Sequence, residues 1–241
     1  QITIDDFKAA LDATVAKKGA VSLCFHAGSW MRSEQMVEVV DYADKTHGGK
    51  IKFLTMLEMH DLMRKNMLGG HSLRDKEGKD NGVRIFDIDK DGYMDVLIAN
   101  SDARKCRIWK PENSSWKEIS FPERMHPGLR FGFDDKKFKT FAFSADAKGE
   151  LKAWSFQKDF WIQEDTLTRG LERVASHSDG RDAGVRFRDI DQDGTCELIL
   201  GSPTRSEVYQ LKEKGWELLP FSLPKGTSIV TSEGKDAGLR F

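Results

Sequence analysis

The stretch FDIDKDGYMDVLI, residues 86–98, decides the fold of this chain, because it returns as RDIDQDGTCELIL at residues 188–200. Each copy places carboxylates at loop positions 1, 3, 5 and 9, a glycine at position 6 and an aliphatic run at its end. The acids are Asp87, Asp89, Asp91 and Asp95 in the first copy and Asp189, Asp191, Asp193 and Glu197 in the second. Position 7, Tyr93 or Thr195, offers its backbone carbonyl. The chain therefore carries a duplicated acidic loop.

Hard oxygen ligands around a tight glycine turn form the donor set that Ca²⁺ prefers. An EF-hand would need a bidentate Glu at position 12, where this chain has Ile98 and Leu200. Those two residues lie in apolar runs, so each loop is expected to enter a strand instead of a helix. A solvated acidic turn is the alternative, because Asp and Gly are ordinary turn residues. Two copies with one spacing favour two Ca²⁺ sites.

A longer repeat surrounds the two loops. Four similar strings open with glycine: GVRI at 82–85, GLRF at 128–131, GVRF at 184–187 and GLRF at 238–241. Aromatic residues recur at two later positions of each complete unit: Trp109, Trp154 and Tyr209, then Trp116, Trp161 and Trp216. A period near 50 residues with several short strand-like runs is typical of β-propeller blades. The sequence predicts three blades and the start of a fourth, all of them β-structure.

The recurring aromatic residues are predicted to pack between blades, with ligand stacking as the alternative. The first unit has strand-like runs at residues 93–99, 106–110 and 116–119. The middle unit reads GFDDKKFK at 132–139, without spaced acids, so no calcium site is expected there. Its run 139–144 alternates apolar and polar residues, which predicts a half-buried strand.

The Asp-x-Asp-x-Asp-Gly-x-x-Asp/Glu string, followed by an aliphatic strand, resembles the FG-GAP/VCBS repeats of integrin-like propellers and of many bacterial surface proteins. The resemblance covers about residues 80–241. It implies that calcium holds the hairpin loop of a blade, while recognition belongs to other loops on the propeller face. Calcium loops of this kind fill best at the millimolar concentrations outside cells, which favours a periplasmic, cell-surface or secreted location.

Residues 1 to about 75 have a different pattern, in which helical and strand-like segments alternate. Helices are predicted to begin at Thr3, at Ser33 as N-cap, and at Thr55, which forms a capping box with Glu58. Their apolar faces are Phe7, Leu11 and Val15 in the first helix and Met36, Val37, Val40 and Ala43 in the second. Two apolar runs read as buried strands: residues 21–25 and 51–54. This order predicts a parallel α/β layer.

His26 stands at the carboxyl end of the first predicted strand, where α/β folds place catalytic groups. The segment GAVSLCFH at 19–26, with Trp30 and IKFLT at 51–55, resembles the C-terminal end of polysaccharide deacetylase domains. In that family a strand-end His acts as general acid, while a metal-binding Asp and paired His lie on earlier strands. Those strands and their catalytic metal are not in this chain. A hydrogen-bonded structural role for His26 is the alternative.

The sequence thus predicts a two-part α+β chain. Residues 1–68 are interpreted as the C-terminal part of a deacetylase-like α/β barrel, 69–80 as a linker, and 81–241 as propeller blades. The chain is expected to be a piece of a secreted bacterial protein that removes acetyl groups from a polysaccharide, with blades that bind glycan or a surface protein. By itself it is expected to be inactive, since one His cannot assemble a metal-activated water. The alternative is a non-catalytic, calcium-dependent adhesion or scaffold module.

Composition excludes few functional classes. There are 38 basic and 39 acidic residues, a net charge of −1, so the charge favours neither nucleic acid nor an anionic membrane as partner. No apolar run approaches the roughly 18 residues that a membrane span needs. The three cysteines, Cys24, Cys106 and Cys196, are isolated and show neither a disulfide framework nor zinc-ligand spacing.

Overall fold

The computed structural model describes residues 2–24, 31–126, 128–137, 139–146, 148 and 150–240. The chain divides into two compact units, residues 1–67 and residues 68–241, which we call the helical unit and the sheet unit. The segment 69–80, predicted as a linker, falls within the sheet unit. None of the described helices is long and apolar enough to cross a membrane.

The described residues of the helical unit form the helices α1 (Ile2–Ala16), α2 (Ser33–His47) and α3 (Met56–Leu62), with a 3₁₀ turn at Gly48–Lys50 and a π-helical turn at Met63–Met67. Helices α1 and α2 pack together over a small apolar core. Its buried members are Ile4, Leu11, Met31, Val39 and Ala43. Polar contacts join the same two helices, because Asp12 accepts a hydrogen bond from the Tyr42 hydroxyl (2.9 Å) and Lys8 pairs with Glu38 (2.6 Å).

The helix ends follow the capping signals of the sequence with one shift. Thr55 and Glu58 form the predicted capping box at α3, since each side chain accepts the other residue's backbone N–H (2.8 and 3.3 Å). Helix α2 ends at Gly48, whose φ of 52° lies in the left-handed region. Its N-cap is Arg32, one residue before the predicted Ser33. The inward face of α2 carries Val39 and Ala43, whereas the predicted Val37 and Val40 are exposed.

The predicted parallel α/β layer of the deacetylase-like segment is wrong for the described part of the helical unit. Residues 21–24 and 51–54 are irregular, and residues 2–24 and 31–67 hold no strand beyond an isolated bridge residue at Met31. A strand needs a paired neighbour to satisfy its backbone groups, and these runs find none among the described residues. Val21 is 39% exposed and Phe53 57% exposed, so neither run is buried. Phe25, His26 and Trp30 lie outside the described residues.

The sheet unit is built from antiparallel sheets whose strands follow one another in sequence order. The first sheet contains β1 (Val83–Phe86), β2 (Asp95–Ala99), β3 (Arg104–Lys110) and β4 (Ser115–Ser120). The second contains β5 (Arg130–Asp134), β6 (Lys139–Ala145), β7 (Leu151–Gln157) and β8 (Phe160–Gln163). A two-stranded ribbon, β9 (His177–Ser178) and β10 (Arg181–Asp182), precedes the third sheet. That sheet contains β11 (Val185–Arg188), β12 (Glu197–Gly201), β13 (Ser206–Lys212) and β14 (Gly215–Leu218).

The second strand of each sheet is the most deeply buried. All five residues of β2 and of β12 are buried, and so is β6 apart from its first residue. The alternation of run 139–144 therefore predicted the strand correctly but not its burial, because β6 is covered on both faces. Thr140 and Ser144, the polar members of that strand, are buried with it.

Tryptophans of the repeat pack between neighbouring sheets. Trp161 of β8 lies edge-on to Phe121, which follows β4, at a centroid distance of 5.2 Å, and its indole N–H donates to Cys106 Sγ of β3 (3.2 Å). Trp216 of β14 contacts Phe141 of the second sheet at 6.1 Å. Such aromatic pairs contribute about 0.5–1.5 kcal/mol each beyond area burial. Trp161 and Trp216 thus join neighbouring sheets as predicted, whereas Trp109 and Trp116 lie against each other within the first sheet, at a centroid distance of 5.0 Å.

A repeated ion pair, which sequence reasoning missed, anchors the start of three repeats. An aspartate accepts the N–H of the glycine two residues later and pairs with the arginine four residues later: Asp80, Gly82 and Arg84; Asp182, Gly184 and Arg186; Asp236, Gly238 and Arg240. The middle unit has His126 at this place, whose Nδ1 accepts the Gly128 N–H (3.1 Å). Arg130 there pairs with Asp182 of the next unit (2.6 Å). The spacing Asp-x-Gly-aliphatic-Arg was the available signal.

Candidate metal centres

The first acidic loop connects β1 to β2 and gathers three carboxylates. Asp87, Asp89 and Asp95 each offer one oxygen, and these oxygens lie within 4.8 Å of one another. Asp87 directly follows β1 and Asp95 begins β2, so the hairpin pairing Phe86 with Asp95 brings both ends of the loop together. Asp89 reaches the same point from within the loop. The antiparallel register of β1 and β2 thus assembles the cluster.

Backbone N–H groups orient the carboxylates of this first loop. Asp87 accepts from the N–H groups of Asp91 (3.1 Å) and Gly92 (3.0 Å), which closes the turn around it. Asp95 accepts from the N–H groups of Ile88 and Trp109, both at 2.8 Å. Gly92 has a φ of 85°, a conformation that side chains rarely adopt, so position 6 needs its glycine. The loop holds its acids in place through its own backbone.

Asp89 has one carboxylate oxygen that a bound cation would satisfy. Its Oδ2 accepts from the Lys110 ammonium (2.9 Å), while its Oδ1 is buried and has no hydrogen-bond partner in the described part of the chain. A buried acceptor without a partner costs about 1–3 kcal/mol, and more when it is charged. A cation among Asp87, Asp89 and Asp95 would satisfy this oxygen.

Burial changes the proton affinity of the loop carboxyls. Asp95 is fully buried, and burial raises its pKa to about 7 in the absence of an ion. Burial also raises the pKa of Asp91, and the charges of Asp89 and Asp87 add to that effect. A buried carboxylate beside others of the same charge favours a bound proton or a bound cation.

The second acidic loop, between β11 and β12, repeats this arrangement. Oxygens of Asp189, Asp191 and Glu197 lie within 4.8 Å of one another. Asp189 accepts from the N–H groups of Asp193 and Gly194, both at 3.0 Å, as Asp87 does in the first loop. Glu197 Oε2 accepts from the backbone N–H of residue 190 (3.0 Å), whereas its Oε1 is buried without a partner among the described residues. Burial raises the pKa of Glu197.

The position-5 acids, Asp91 and Asp193, lie outside these three-carboxylate clusters. Each uses Oδ1 to accept the N–H of position 7, from Tyr93 or Thr195 (2.8 Å in both loops). Asp193 also pairs with the Lys136 ammonium (2.7 Å), which holds the pKa of this carboxyl below its ordinary value. Ligation by position 5 and by the position-7 carbonyls stays a prediction.

The middle unit has no such cluster among its described residues. The connection between β5 and β6 is a 3₁₀ turn, Asp135–Lys137. Asp134 is buried, accepts the backbone N–H of Lys137 (3.3 Å) and lies 3.5 Å from the ammonium of that lysine. In this connection a lysine of the chain thus lies beside the buried acid.

A histidine and a serine lie close together in the sheet unit, but they do not form a nucleophile and base. His126 Nδ1 accepts the Gly128 N–H, so the neutral ring carries its proton on Nε2 and donates it to Ser144 Oγ (3.1 Å). A base for Ser144 would need the opposite proton position. His26, the predicted catalytic residue, lies outside the described residues.

Comparison with models of known protein families and with curated proteins finds no match for this chain. The resemblances to FG-GAP/VCBS repeats and to polysaccharide deacetylases therefore stay predictions. The function has to be argued from the geometry of the two acidic loops.

Proposed function

We propose that the sheet unit is a calcium-stabilised β-propeller module, in which the three four-stranded sheets are blades. The observation that carries this proposal is the pair of three-carboxylate clusters at equivalent connections of the first and third sheets. Each cluster contains one buried oxygen without a partner among the described residues, in Asp89 and in Glu197. One such oxygen is compatible with a strained turn, but one in each of two equivalent loops, at position 3 of the first and position 9 of the second, supports a ligand in both.

The donor chemistry favours Ca²⁺ over other divalent ions. The gathered groups are carboxylates alone, whereas zinc sites normally include His or Cys. Mg²⁺ keeps several waters and demands near-octahedral geometry, while Ca²⁺ accepts six to eight oxygens in irregular arrangements. A nine-residue loop that offers carboxylates from both ends and from its middle suits the more flexible ion.

Within this proposal, calcium has a structural role and recognition belongs to other loops of the sheets. The ion would tie the β1–β2 and β11–β12 connections to the strands that follow them. The partner would be a polysaccharide or a surface protein, met outside the cytoplasm, where calcium is millimolar. The module would then serve adhesion or act as a scaffold.

Calorimetric titration with Ca²⁺ tests the proposal. Two sites are expected, and Asp89→Ala or Asp191→Ala should each remove one of them. Asp41→Ala is the matched control, because it removes an exposed carboxylate of α2 that pairs with Lys45 (3.1 Å) and lies outside both acidic loops. The control should keep both sites. Absence of binding at millimolar Ca²⁺, or a third equivalent site in the middle unit, would overturn the assignment.

The deacetylase prediction for a longer parent protein rests on the resemblance around His26. It is tested by incubating the 241-residue chain with acetylated glycans and a divalent metal. We expect no acetate release from this chain, because one histidine cannot assemble a metal-activated water. Metal-dependent release would place an active site in residues that the proposal treats as structural.

A further inference from the structure

The connection between β5 and β6 in the second sheet lies between the two acidic loops and contacts both. We call residues 134–137 the connector, residues 87–95 loop 1 and residues 189–197 loop 2. The connector belongs to the one four-stranded sheet without an acid cluster among its described residues. Its contacts are therefore not explained by a metal of its own.

Backbone hydrogen bonds join the connector to loop 2. The Asp135 N–H donates to the Gly194 carbonyl (2.7 Å), and the Cys196 N–H donates to the Phe133 carbonyl (2.9 Å). These two bonds make Asp134 and Thr195 an antiparallel bridge pair. In a pair of this type the N–H and C=O groups of the two residues face away from each other. The contact therefore holds positions 6 and 7 of loop 2 without using the Thr195 carbonyl.

A side-chain contact joins the same connector to loop 1. Lys90 at position 4 of loop 1 pairs with Asp135 through Nζ and Oδ1 (2.8 Å). Its ammonium also lies 4.0 Å from the centre of the Phe133 ring, a cation–π distance. Lys90 is held in the left-handed region, with a φ of 62°, by the turn that surrounds the acids of loop 1. The position of the ammonium thus depends on the conformation of the loop.

Asp135 is therefore shared by the two loops. Its N–H is bonded to position 6 of loop 2, and its carboxylate is bonded to position 4 of loop 1. When one loop becomes ordered around an ion, its contact with Asp135 fixes the position of that residue. The other loop then loses less conformational entropy when it binds its own ion.

We propose that the connector couples the two calcium sites, so that an ion in one loop raises the affinity of the other. This inference rests on the proposed calcium binding and adds cooperativity to it. By linkage the effect is reciprocal, and coupling between distinct sites typically amounts to about 5–150-fold in affinity. We expect a factor near the lower end, because Asp135 links the two loops through one ion pair and one backbone bridge.

The coupling factor is measurable from a thermodynamic cycle. Calorimetry on the intact chain gives the product of its two Ca²⁺ association constants. Asp191→Asn and Asp89→Asn, each of which disables one loop with an isosteric side chain, give the two separate constants. The product for the intact chain divided by the product of the separate constants is the coupling factor, and we expect about 5 or more.

Two connector variants distinguish coupling from simple charge effects. Asp135→Ala removes a negative charge near both sites, and Lys90→Ala removes a positive one. Through charge alone, the first would weaken calcium binding and the second would strengthen it. Coupling predicts that both variants lower the coupling factor to about 1. It also predicts that Lys90→Ala lowers the product of the two Ca²⁺ association constants, although this variant removes a repulsive ammonium.

Lys136→Ala is the matched control for Lys90→Ala, since it also removes one lysine charge near the sites, and the ammonium of Lys136 pairs with Asp193 of loop 2 (2.7 Å). It should leave the coupling factor unchanged. If the loop variants fail to fold, Lys90→Ala still tests the coupling, because both of its acid clusters are intact. A product of its two Ca²⁺ association constants below that of the intact chain supports coupling, and a product above it contradicts coupling. Two bound ions with a factor of 1 in the intact chain would overturn the coupling alone. No bound ions would overturn the calcium proposal as well.

Discussion

The first and second sheets share a strand order but close the connection between their first two strands in different ways. In the first sheet, Asp87 and Asp89 lie close to Asp95, and one oxygen of Asp89 is buried without a partner in the described chain. In the second sheet, the buried acid is Asp134, which lies 3.5 Å from the Lys137 ammonium. A lysine of the chain thus lies beside the buried acid of the second sheet, whereas for the first and third sheets we propose a cation taken from solution.

Under the proposed calcium binding, the acid-rich connections and the lysine-paired connection should depend on solution conditions in different ways. The contribution of a dissolved ion grows with its concentration relative to the dissociation constant. The contribution of a lysine is constant until it titrates. The following predictions test whether the connections differ in this way.

Chelation is expected to give the largest effect. Carboxylates about 4 Å apart repel by roughly 4 kcal/mol at an effective dielectric constant near 20, unless a cation neutralises them. One site filled at a hundredfold excess of Ca²⁺ over its dissociation constant contributes about 2.7 kcal/mol. For a unit of this size two sites correspond to a shift of about 10 °C or more in melting temperature. Thermal unfolding with excess Ca²⁺ and with chelator measures it, and α1–α3 should keep their helical signal at moderate temperature.

Removal of one loop acid should cost about half of that calcium response. Asp89→Ala or Asp191→Ala is expected to lose about 2.7 kcal/mol of calcium-dependent stabilisation, because one site no longer binds. The measurement is the difference in free energy of unfolding between Ca²⁺ and chelator, from urea titrations. A variant that retained the full calcium response would show that its loop is an ordinary acidic turn.

In chelator, the two kinds of connection should lose different amounts of stability when their acid is removed. Asp134→Ala should destabilise the sheet unit by about 1–3 kcal/mol, because its backbone and lysine partners lose a buried acceptor. Asp191 is exposed, so Asp191→Ala should change the free energy of unfolding by about 0.5 kcal/mol or less. Urea unfolding in chelator compares them. Equal costs would mean that the acid loops are stable without an ion.

The smallest effect is expected at low pH, where protonation weakens the ion pairs that anchor the repeat starts. Burial alone would raise the pKa of Asp182, but Arg186 and Arg130 outweigh it and hold the pKa below its ordinary value. A carboxyl with a lowered folded-state pKa stabilises above its unfolded pKa of about 3.9, and this contribution is lost as pH falls through the folded value. Stability in chelator should therefore decrease below about pH 4, by roughly 1 kcal/mol more than in Asp182→Asn. Identical pH profiles for the two proteins would show that these arginines do not stabilise the fold.

Much of the sheet unit was predictable because its signals are short-range. The acidic loops lead into buried strands, and the runs 106–110 and 116–119 fall within β3 and β4. Trp161 and Trp216 pack between sheets as their spacing predicted. In the helical unit, the capping box at Thr55 was also predictable, since its groups lie within one helical turn.

The helical unit shows where such reasoning fails. The apolar runs at 21–25 and 51–54 have the composition of strands, but strand formation depends on partners that local composition does not reveal. On α2, Ala43 is buried as predicted, but Val39 lies inward instead of Val37 and Val40, because packing against α1 decides which residues are covered. His26 lies outside the described residues, so its predicted role stays a prediction.

By itself, the sequence determined the acid spacing, the glycines at position 6 and the repeat that orders the strands, because each of these acts within a few residues of the backbone. The tertiary structure alone decided which acids meet. The hairpin pairing brings Asp87 and Asp95 together, while Asp91 turns to a backbone N–H. It alone also placed the Asp135 carboxylate on Lys90 and its N–H on Gly194. Those contacts join three different sheets, and their residues lie too far apart in the chain for any local pattern to predict them.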